Sequence, residues 1–138
     1  MTNELTFKTN SLFDKVTFDK DANCWLFFFA DKISVSSSGF WRLVVRNKII
    51  FVSLDNEQKF GFIKPLNLTN ELNAILTGKY LTKIEVIKDT FDLTLTLNDE
   101  MKFEIYIASS GYETYEFSIN KKRYIGLGSG DISIMDYD

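Results

Sequence analysis

Residues Thr90–Ile107, with the sequence TFDLTLTLNDEMKFEIYI, decide the fold class of this chain. Apolar and polar residues alternate strictly on both sides of the polar tripeptide Asn98–Glu100. Alternation with a period of two is typical of an antiparallel strand that has one face on a core and the other in water. Because Asn and Asp favour turns, the stretch predicts a β-hairpin.

Strand signals continue on both sides of this hairpin. Cys24–Ala30 is a seven-residue apolar run, CWLFFFA, which predicts a central strand covered on both faces. A turn at Asp31–Lys32 precedes a second strand, and a turn at Arg46–Asn47 joins the next two, Phe40–Val45 and Lys48–Val52. From Tyr80 onward the spacing predicts an uninterrupted meander, with strands near 81–88, 91–98, 101–108, 112–119, 122–127 and 131–135.

One segment has helical periodicity. Its apolar residues share one helical face: Leu68, Leu72, Ile75 and Leu76. Asn67 suits the N-cap and Gly78 suits a left-handed C-terminal residue, which predicts a short helix at about 67–77. We therefore predict one domain over residues 1–138, α+β but mostly β, in which an antiparallel meander forms a sandwich or barrel-like sheet with this helix added.

Two segments have weaker signals. In residues 1–23, Leu12 and Val16 suit one face of a helix, whereas Val16 and Phe18 alternate as in a strand, so both alternatives stay open. Ser53–Lys64 is interpreted as a polar connection between the strands and the helix.

The composition argues against catalysis. Histidine is absent, which removes the commonest general base and the commonest metal ligand. Cys24 is the single cysteine, so an intrachain disulfide and a Cys-cluster zinc site are excluded. Beside an aromatic run, Cys24 is interpreted as a small buried hydrophobe and not as a reactive thiol. We expect no enzyme activity, no catalytic residue, no metal site and no cofactor.

A secretory signal has a positively charged start followed by an apolar run, and the N-terminus of this sequence shows no such pattern. The longest apolar run is seven residues, whereas a membrane-spanning helix needs about 20. These features predict a cytoplasmic protein with no membrane partner.

Charge is divided unevenly along the chain. Residues 1–88 carry a net charge of +3 and residues 89–138 a net charge of −6. An acidic half disfavours nucleic acid as a partner and suits a basic protein. The alternative is that these charges only keep the surface of a β-protein soluble and its edges unpaired.

Several patterns were compared with known chemical sites. Asp92 and Glu104 lie on the polar sides of neighbouring strands, but their polar neighbours indicate a solvated face and not an acid–base pair. Gly126–Gly130 is glycine-rich but opens no helix, so it predicts a hairpin turn and not a phosphate-binding loop. The aspartates near the C-terminus lack the spacing of a calcium loop: Asp131, Asp136 and Asp138.

The segment Ser110–Glu116 is the most suggestive surface. Tyrosine gives a large contact area at low entropy cost, and acidic neighbours complement a basic partner. Tyr115 is in phase with Phe117 and Ile119, so it also suits an inward position. A shift of register near Gly111 would decide whether Glu113 and Tyr115 face the solvent.

A series of short blocks also resembles a known family. In order, these are Trp25 in an aromatic strand, Trp41–Leu43, Gln58–Gly61 with Pro65 after it, Asp92–Leu95, Ser109–Glu113 and Gly126–Gly130. The series, which extends over residues 12–135, resembles small bacterial β-rich proteins found among polymorphic-toxin and contact-dependent growth-inhibition immunity proteins. Family members often carry an aromatic such as Trp where this chain has Tyr115. The resemblance implies a cytoplasmic toxin inhibitor that binds a toxin's C-terminal domain, and it carries over no contact residue.

Two functions follow as hypotheses. The first is an immunity protein that covers a cognate toxin domain, often a basic nuclease, by steric occlusion. Its predicted partner-binding residues are Asp92, Glu104, Tyr106, Tyr112, Glu113, Tyr115 and Glu116. The alternative is a small-molecule or lipid-binding β-barrel, in which the 13 Phe residues would line a cavity.

Overall fold

Eleven strands form one antiparallel sheet in the computed structural model, which describes residues 5–136. The strands are β1 Thr6–Asp19, β2 Cys24–Phe29, β3 Ser34–Ser37, β4 Trp41–Val45, β5 Lys48–Val52, β6 Tyr80–Val86, β7 Leu93–Leu97, β8 Met101–Ile105, β9 Tyr115–Ile119, β10 Lys122–Leu127 and β11 Asp131–Asp136. A 3-10 turn, Ser53–Asp55, follows β5, and the helix α1, Leu68–Leu76, precedes β6. The predicted mostly β fold with one short helix is confirmed.

The long strand β1 belongs to two layers. Residues 6–12 pair with β6, and residues 13–19 pair with β2. Half-sheet A therefore contains β1, β6, β7, β8, β4 and β5 in that order, and half-sheet B contains β1, β2, β3, β9, β10 and β11. Phe27 of β2 and Phe103 of β8 are separated by three strands in this order, yet their ring centroids lie 4.9 Å apart. The sheet thus folds over at β1 into a sandwich and does not close into a barrel.

The N-terminal alternatives are decided in favour of a strand, since 14 residues of β1 are extended. Residues 1–4 of this segment lie outside the described residues. The run at Cys24–Ala30 is a central strand as predicted, but the prediction that both of its faces are covered is wrong. Trp25 and Phe27 are buried, whereas Phe28 on the outer face is partly exposed. The ammonium group of Lys15 lies over the Phe28 ring, 5.4 Å from its centroid.

The meander is confirmed in two parts, β6–β8 and β9–β11, but it is not uninterrupted. Strand β8 pairs with β4, and β9 pairs with β3, so residues 106–114 cross from half-sheet A to half-sheet B. Alternation identifies the inward face of each strand but not the neighbour with which the strand pairs. The crossing therefore has no signal in the sequence.

The predicted hairpin and helix are confirmed in detail. Leu95 of β7 faces Phe103 of β8, and the turn between the strands has positive φ at Asp99 and Glu100. Asn67 caps α1 by accepting a hydrogen bond from the Asn70 backbone N–H at 3.0 Å. The helix ends before Gly78, whose φ of 82° is the left-handed conformation expected there.

A cluster of aromatic rings lies in the core between the half-sheets. Trp41 contacts Trp25, Phe27 and Phe103 at centroid distances of 5.2, 5.8 and 5.4 Å. Both Trp41 and Phe27 are fully buried. Such edge-to-face pairs add to the free energy of burial, so this cluster stabilises the contact between the two layers.

Candidate functional site

A groove of about 390 Å³ runs over the outer face of half-sheet A. Three predicted site residues line it: Asp92, Glu104 and Tyr106. Glu104 Oε1 accepts hydrogen bonds from Arg42 Nε at 2.5 Å and from the Tyr106 hydroxyl at 3.0 Å. Lys102 Nζ lies 3.3 Å from the other carboxylate oxygen. The strand register produces this arrangement, because Glu104 stands directly opposite Arg42.

These partners determine the charge state of Glu104. Partial burial by itself would raise the pKa of this carboxyl, but hydrogen bonds from Arg42, Tyr106 and Lys102 outweigh it and hold the pKa below its ordinary value. The carboxylate is therefore ionised at neutral pH and serves as a fixed acceptor. A group of this kind holds side chains in place and does not donate a proton.

A pH-dependent contribution to stability follows from the lowered pKa. The Glu104 contribution is complete above the unfolded-state pKa, close to 4.5, and is lost as the pH falls through the lower folded-state pKa. We expect the variant Glu104→Gln to lose less of its unfolding free energy than the native protein between neutral pH and about pH 3. Urea unfolding at both pH values measures this, and equal losses in the two proteins would contradict it.

The groove is not acidic. Its lining contains the cations Lys83 and Lys102 and the carboxylates Glu85, Asp92 and Glu104. Arg42, which lies beside the groove, compensates the third carboxylate through its hydrogen bond to Glu104. Lys83 and Glu85 form an ion pair with an N–O distance of 3.5 Å. Because the charges on this face compensate one another, the negative potential expected from the acidic C-terminal half must lie elsewhere.

Three loops meet at one end of the sandwich, at residues 87–92, 108–114 and 128–130, and we call this region the loop end. Gly128 packs so closely on the backbone of Ser109 and Ser110 that a Cβ atom would overlap it. The Ser129 hydroxyl donates a hydrogen bond to the Ser110 carbonyl. Gly130 approaches the Asp89 carbonyl, which would lie 3.1 Å from an added Cβ. The loops thus support one another.

The loop end presents one tyrosine to solvent. Tyr112 is 82% exposed, and its backbone N–H donates to the Ser109 hydroxyl oxygen at 2.9 Å. Exposed carboxylates belong to the same loops and to the start of β11: Asp89, Glu113 and Asp131. The same loops also expose one lysine, Lys88. An exposed aromatic residue on mutually supporting loops that carry more carboxylates than cations suits a protein–protein contact with a basic partner.

Asp92 links the two surfaces. It lines the groove, and its Oδ1 accepts a hydrogen bond at 2.7 Å from the backbone N–H of Ile107, at the start of the chain that leads to Tyr112. Its Oδ2 accepts another from the Thr90 hydroxyl at 3.1 Å. Asp92 therefore holds the loop end in position against half-sheet A.

The other two predicted site residues lie apart from these. Tyr115 is 2% exposed, its ring packs in the core, and its hydroxyl donates to the Phe91 carbonyl at 2.8 Å. Burial raises the pKa of this phenol well above its ordinary value. Tyr115 thus takes the inward alternative and offers no contact surface. Glu116 lies on half-sheet B, where its carboxylate is 3.1 Å from Arg123 Nε.

Residues 59–65, with the sequence KFGFIKP, were missed by sequence reasoning. All of these residues except Pro65 belong to the segment Ser53–Lys64, which the sequence predicts as a polar connection. The structure instead exposes three large apolar side chains there: Phe60, Phe62 and Ile63. The run FGFI between two lysines, outside any strong strand pattern, is a signal that could have indicated an exposed apolar loop.

Cys24 is partly exposed and not buried as predicted. Desolvation is the main cause that raises the pKa of its thiol, which favours the unreactive protonated form.

Within residues 5–136, no three His, Cys, Asp or Glu side chains group closely enough to hold a metal ion. In the same part of the chain, no helix has the length and apolarity required to cross a membrane.

Comparison with protein-family models, curated proteins and solved structures found no match.

Proposed function

We propose that this chain is an immunity protein that binds and neutralises a basic toxin domain through the loop end. The observation that carries the proposal is Tyr112, which is 82% exposed at the meeting point of three mutually supporting loops. An aromatic side chain held in solvent contributes little to folding, but it can fill a pocket on a partner. The resemblance stated above supplies the class of partner.

Neutralisation by this surface is steric. The loop end can cover the active site of a toxin without any chemical step, and contacts between its loops limit the entropy lost on binding. The exposed carboxylates of Asp89, Glu113 and Asp131 would attract a basic domain and raise the rate of encounter. The groove with Glu104 and Tyr106 lies on the adjoining face and would extend the contact.

The alternative function, a barrel that encloses a small apolar ligand, receives less support. The sheet is open between its edge strands β5 and β11. Phe7, in the part of β1 that pairs with β6, packs against Phe117 and Tyr124 of half-sheet B, and those two rings stack on each other at 4.8 Å. Rings that fill the interior in this way do not border a ligand cavity.

The variant Tyr112→Ala tests the proposed surface. We expect it to bind the toxin domain about thirtyfold more weakly, the loss typical of one aromatic hot spot. We expect the unfolding free energy to stay within about 0.5 kcal/mol of the native value, since the side chain is exposed. Tyr80→Ala is the matched control, because Tyr80 is 39% exposed on β6 away from the loop end, and it should bind as the native protein does. Calorimetric titration measures both, and equal affinities of the two variants would exclude the loop end as the contact.

The partner itself is tested by copurification. We expect the tagged protein to retain the product of the adjacent upstream gene as a one-to-one complex and to suppress that product's toxicity on coexpression. A healthy cell after deletion of this gene, with no complex recovered, would refute the immunity function.

A further inference from the structure

Residues 59–65 form a closed, protruding loop, which we call the apolar loop. Two backbone hydrogen bonds close its stem, from Glu57 N–H to the Leu66 carbonyl at 2.7 Å and from Leu66 N–H to the Gln58 carbonyl at 2.8 Å. Every residue from 57 to 65 is exposed. The loop thus stands away from the sandwich and has a defined shape.

The tip of the apolar loop is a tight turn. The Phe62 backbone N–H donates to the Lys59 carbonyl at 2.8 Å, and the two residues between them, Phe60 and Gly61, have φ values of 50° and 82°. Glycine adopts such values freely, whereas a bulky aromatic residue at positive φ is an uncommon and strained case. Strain of this kind is frequent at functional sites.

The side chains of the tip are unusually exposed for their chemistry. Phe60 is 62% exposed, Phe62 75% and Ile63 93%. They follow one another within four residues, and Phe60 and Phe62 border an open depression between the loop and the start of α1. A contiguous apolar group of this size on a folded domain marks an interaction site.

Charge on the loop indicates the nature of the surface that covers it. Lys59 and Lys64 flank the apolar side chains, and the loop has no carboxylate of its own. The nearest carboxylates in sequence, Asp55 and Glu57, lie at the stem, and Glu57 is 3.9 Å from Lys20. Glu71 of α1 borders the same depression as Lys59 and Lys64. Within residues 59–65 the two lysines are the only charged side chains, and they lie on either side of the apolar residues.

We propose that the apolar loop docks on an anionic lipid surface. Phe60, Phe62 and Ile63 enter the boundary between headgroups and acyl chains. Lys59 and Lys64 remain at the level of the lipid phosphates. This combination of a shallow apolar insertion and a few cations is the general basis of reversible peripheral membrane binding. It requires no spanning segment, and it is independent of the loop end.

A lipid surface fits the loop better than an acidic protein cleft. The three apolar side chains are exposed on one loop with a lysine on each side, and a bilayer surface can receive them without a preformed pocket. Lysines on both sides of the tip match a plane of negative charge. The basic partner proposed for the loop end would repel these lysines, which separates the two surfaces chemically.

Cosedimentation with vesicles tests the proposal on the full chain. We expect binding to vesicles of phosphatidylcholine with phosphatidylserine, and weak binding to phosphatidylcholine alone. The double variant Lys59→Glu/Lys64→Glu should reduce binding to the anionic vesicles at least about tenfold, and added salt should do the same. Phe62→Ser/Ile63→Ser should also lose at least about tenfold, because apolar insertion is removed.

Matched variants at the opposite edge of the sheet serve as controls. Ile134 and Met135 on β11 are 51% and 48% exposed, so Ile134→Ser/Met135→Ser removes a similar pair of exposed apolar side chains. This control should bind the anionic vesicles like the native protein. The proposal is overturned if the native chain does not bind them, or if the control loses as much binding as the loop variant. It is likewise overturned if the loop variants weaken only a complex with a protein.

Discussion

Replacement of Phe27 by alanine is expected to destabilise the fold by about 3–5 kcal/mol, the range for a fully buried aromatic residue. Phe27 is 0% exposed and contacts Trp41 and Phe103, so its loss opens a cavity between the two half-sheets. Trp41 is also packed against Trp25 and Phe103, which limits how far the surrounding rings can move to close the cavity. Urea unfolding followed by far-UV circular dichroism measures the change.

Phe62→Ala is the control for this prediction. It removes the same atoms from a side chain that is 75% exposed, and we expect a change within about 0.5 kcal/mol. If Phe27→Ala and Phe62→Ala destabilised the protein equally, the interlayer position of Phe27 would be wrong. The comparison tests the folding-over of the sheet directly, because only that fold buries Phe27.

The variant Gly128→Ala is expected to damage stability and partner binding together. An added Cβ would overlap the backbone of Ser109, Ser110 and Gly111, and backbone cannot rotate away as a long side chain can. Overpacking of this kind costs about 1–3 kcal/mol. Because the displaced segment carries Tyr112, we expect toxin affinity to fall at least about tenfold beyond any loss of folded protein.

Gly111→Ala provides the contrast within the same loop. No atom lies within 4 Å of a Cβ added there, so we expect no destabilisation beyond about 0.5 kcal/mol. Thermal unfolding and calorimetric titration measure both variants. Native affinity and native stability in Gly128→Ala would show that the close contact between the 108–114 and 128–130 loops does not exist in solution.

Local features of the fold were predictable. The strands of the hairpin at Leu93–Leu97 and Met101–Ile105 follow from alternation, and α1 follows from the spacing of its leucines and from its caps at Asn67 and Gly78. Each depends on interactions within a few residues, which the order of residue types contains.

The candidate site was predictable only in part. Tyr112 and Tyr115 are three residues apart with the same chemistry, yet one is 82% exposed and the other 2%. The difference arises because residues 106–114 cross between the layers and β9 begins only at Tyr115. The sequence also does not predict the exposure of the apolar loop. Phe27 is buried and Phe62 is exposed although both are phenylalanines, because burial depends on the tertiary surroundings and not on residue type.

By itself, the sequence determined that this protein is built of antiparallel strands with one capped helix, and that it lacks imidazole chemistry. These properties depend on composition and on periodicities of two and 3.6 residues, which short-range sterics and solvation convert into strands and helices. Only the tertiary structure decided that the sheet folds over at β1, which loops meet at the loop end, and which aromatic side chains remain in solvent. Those outcomes depend on which strands pair across long sequence separations, because pairing selects neighbours that no local pattern encodes.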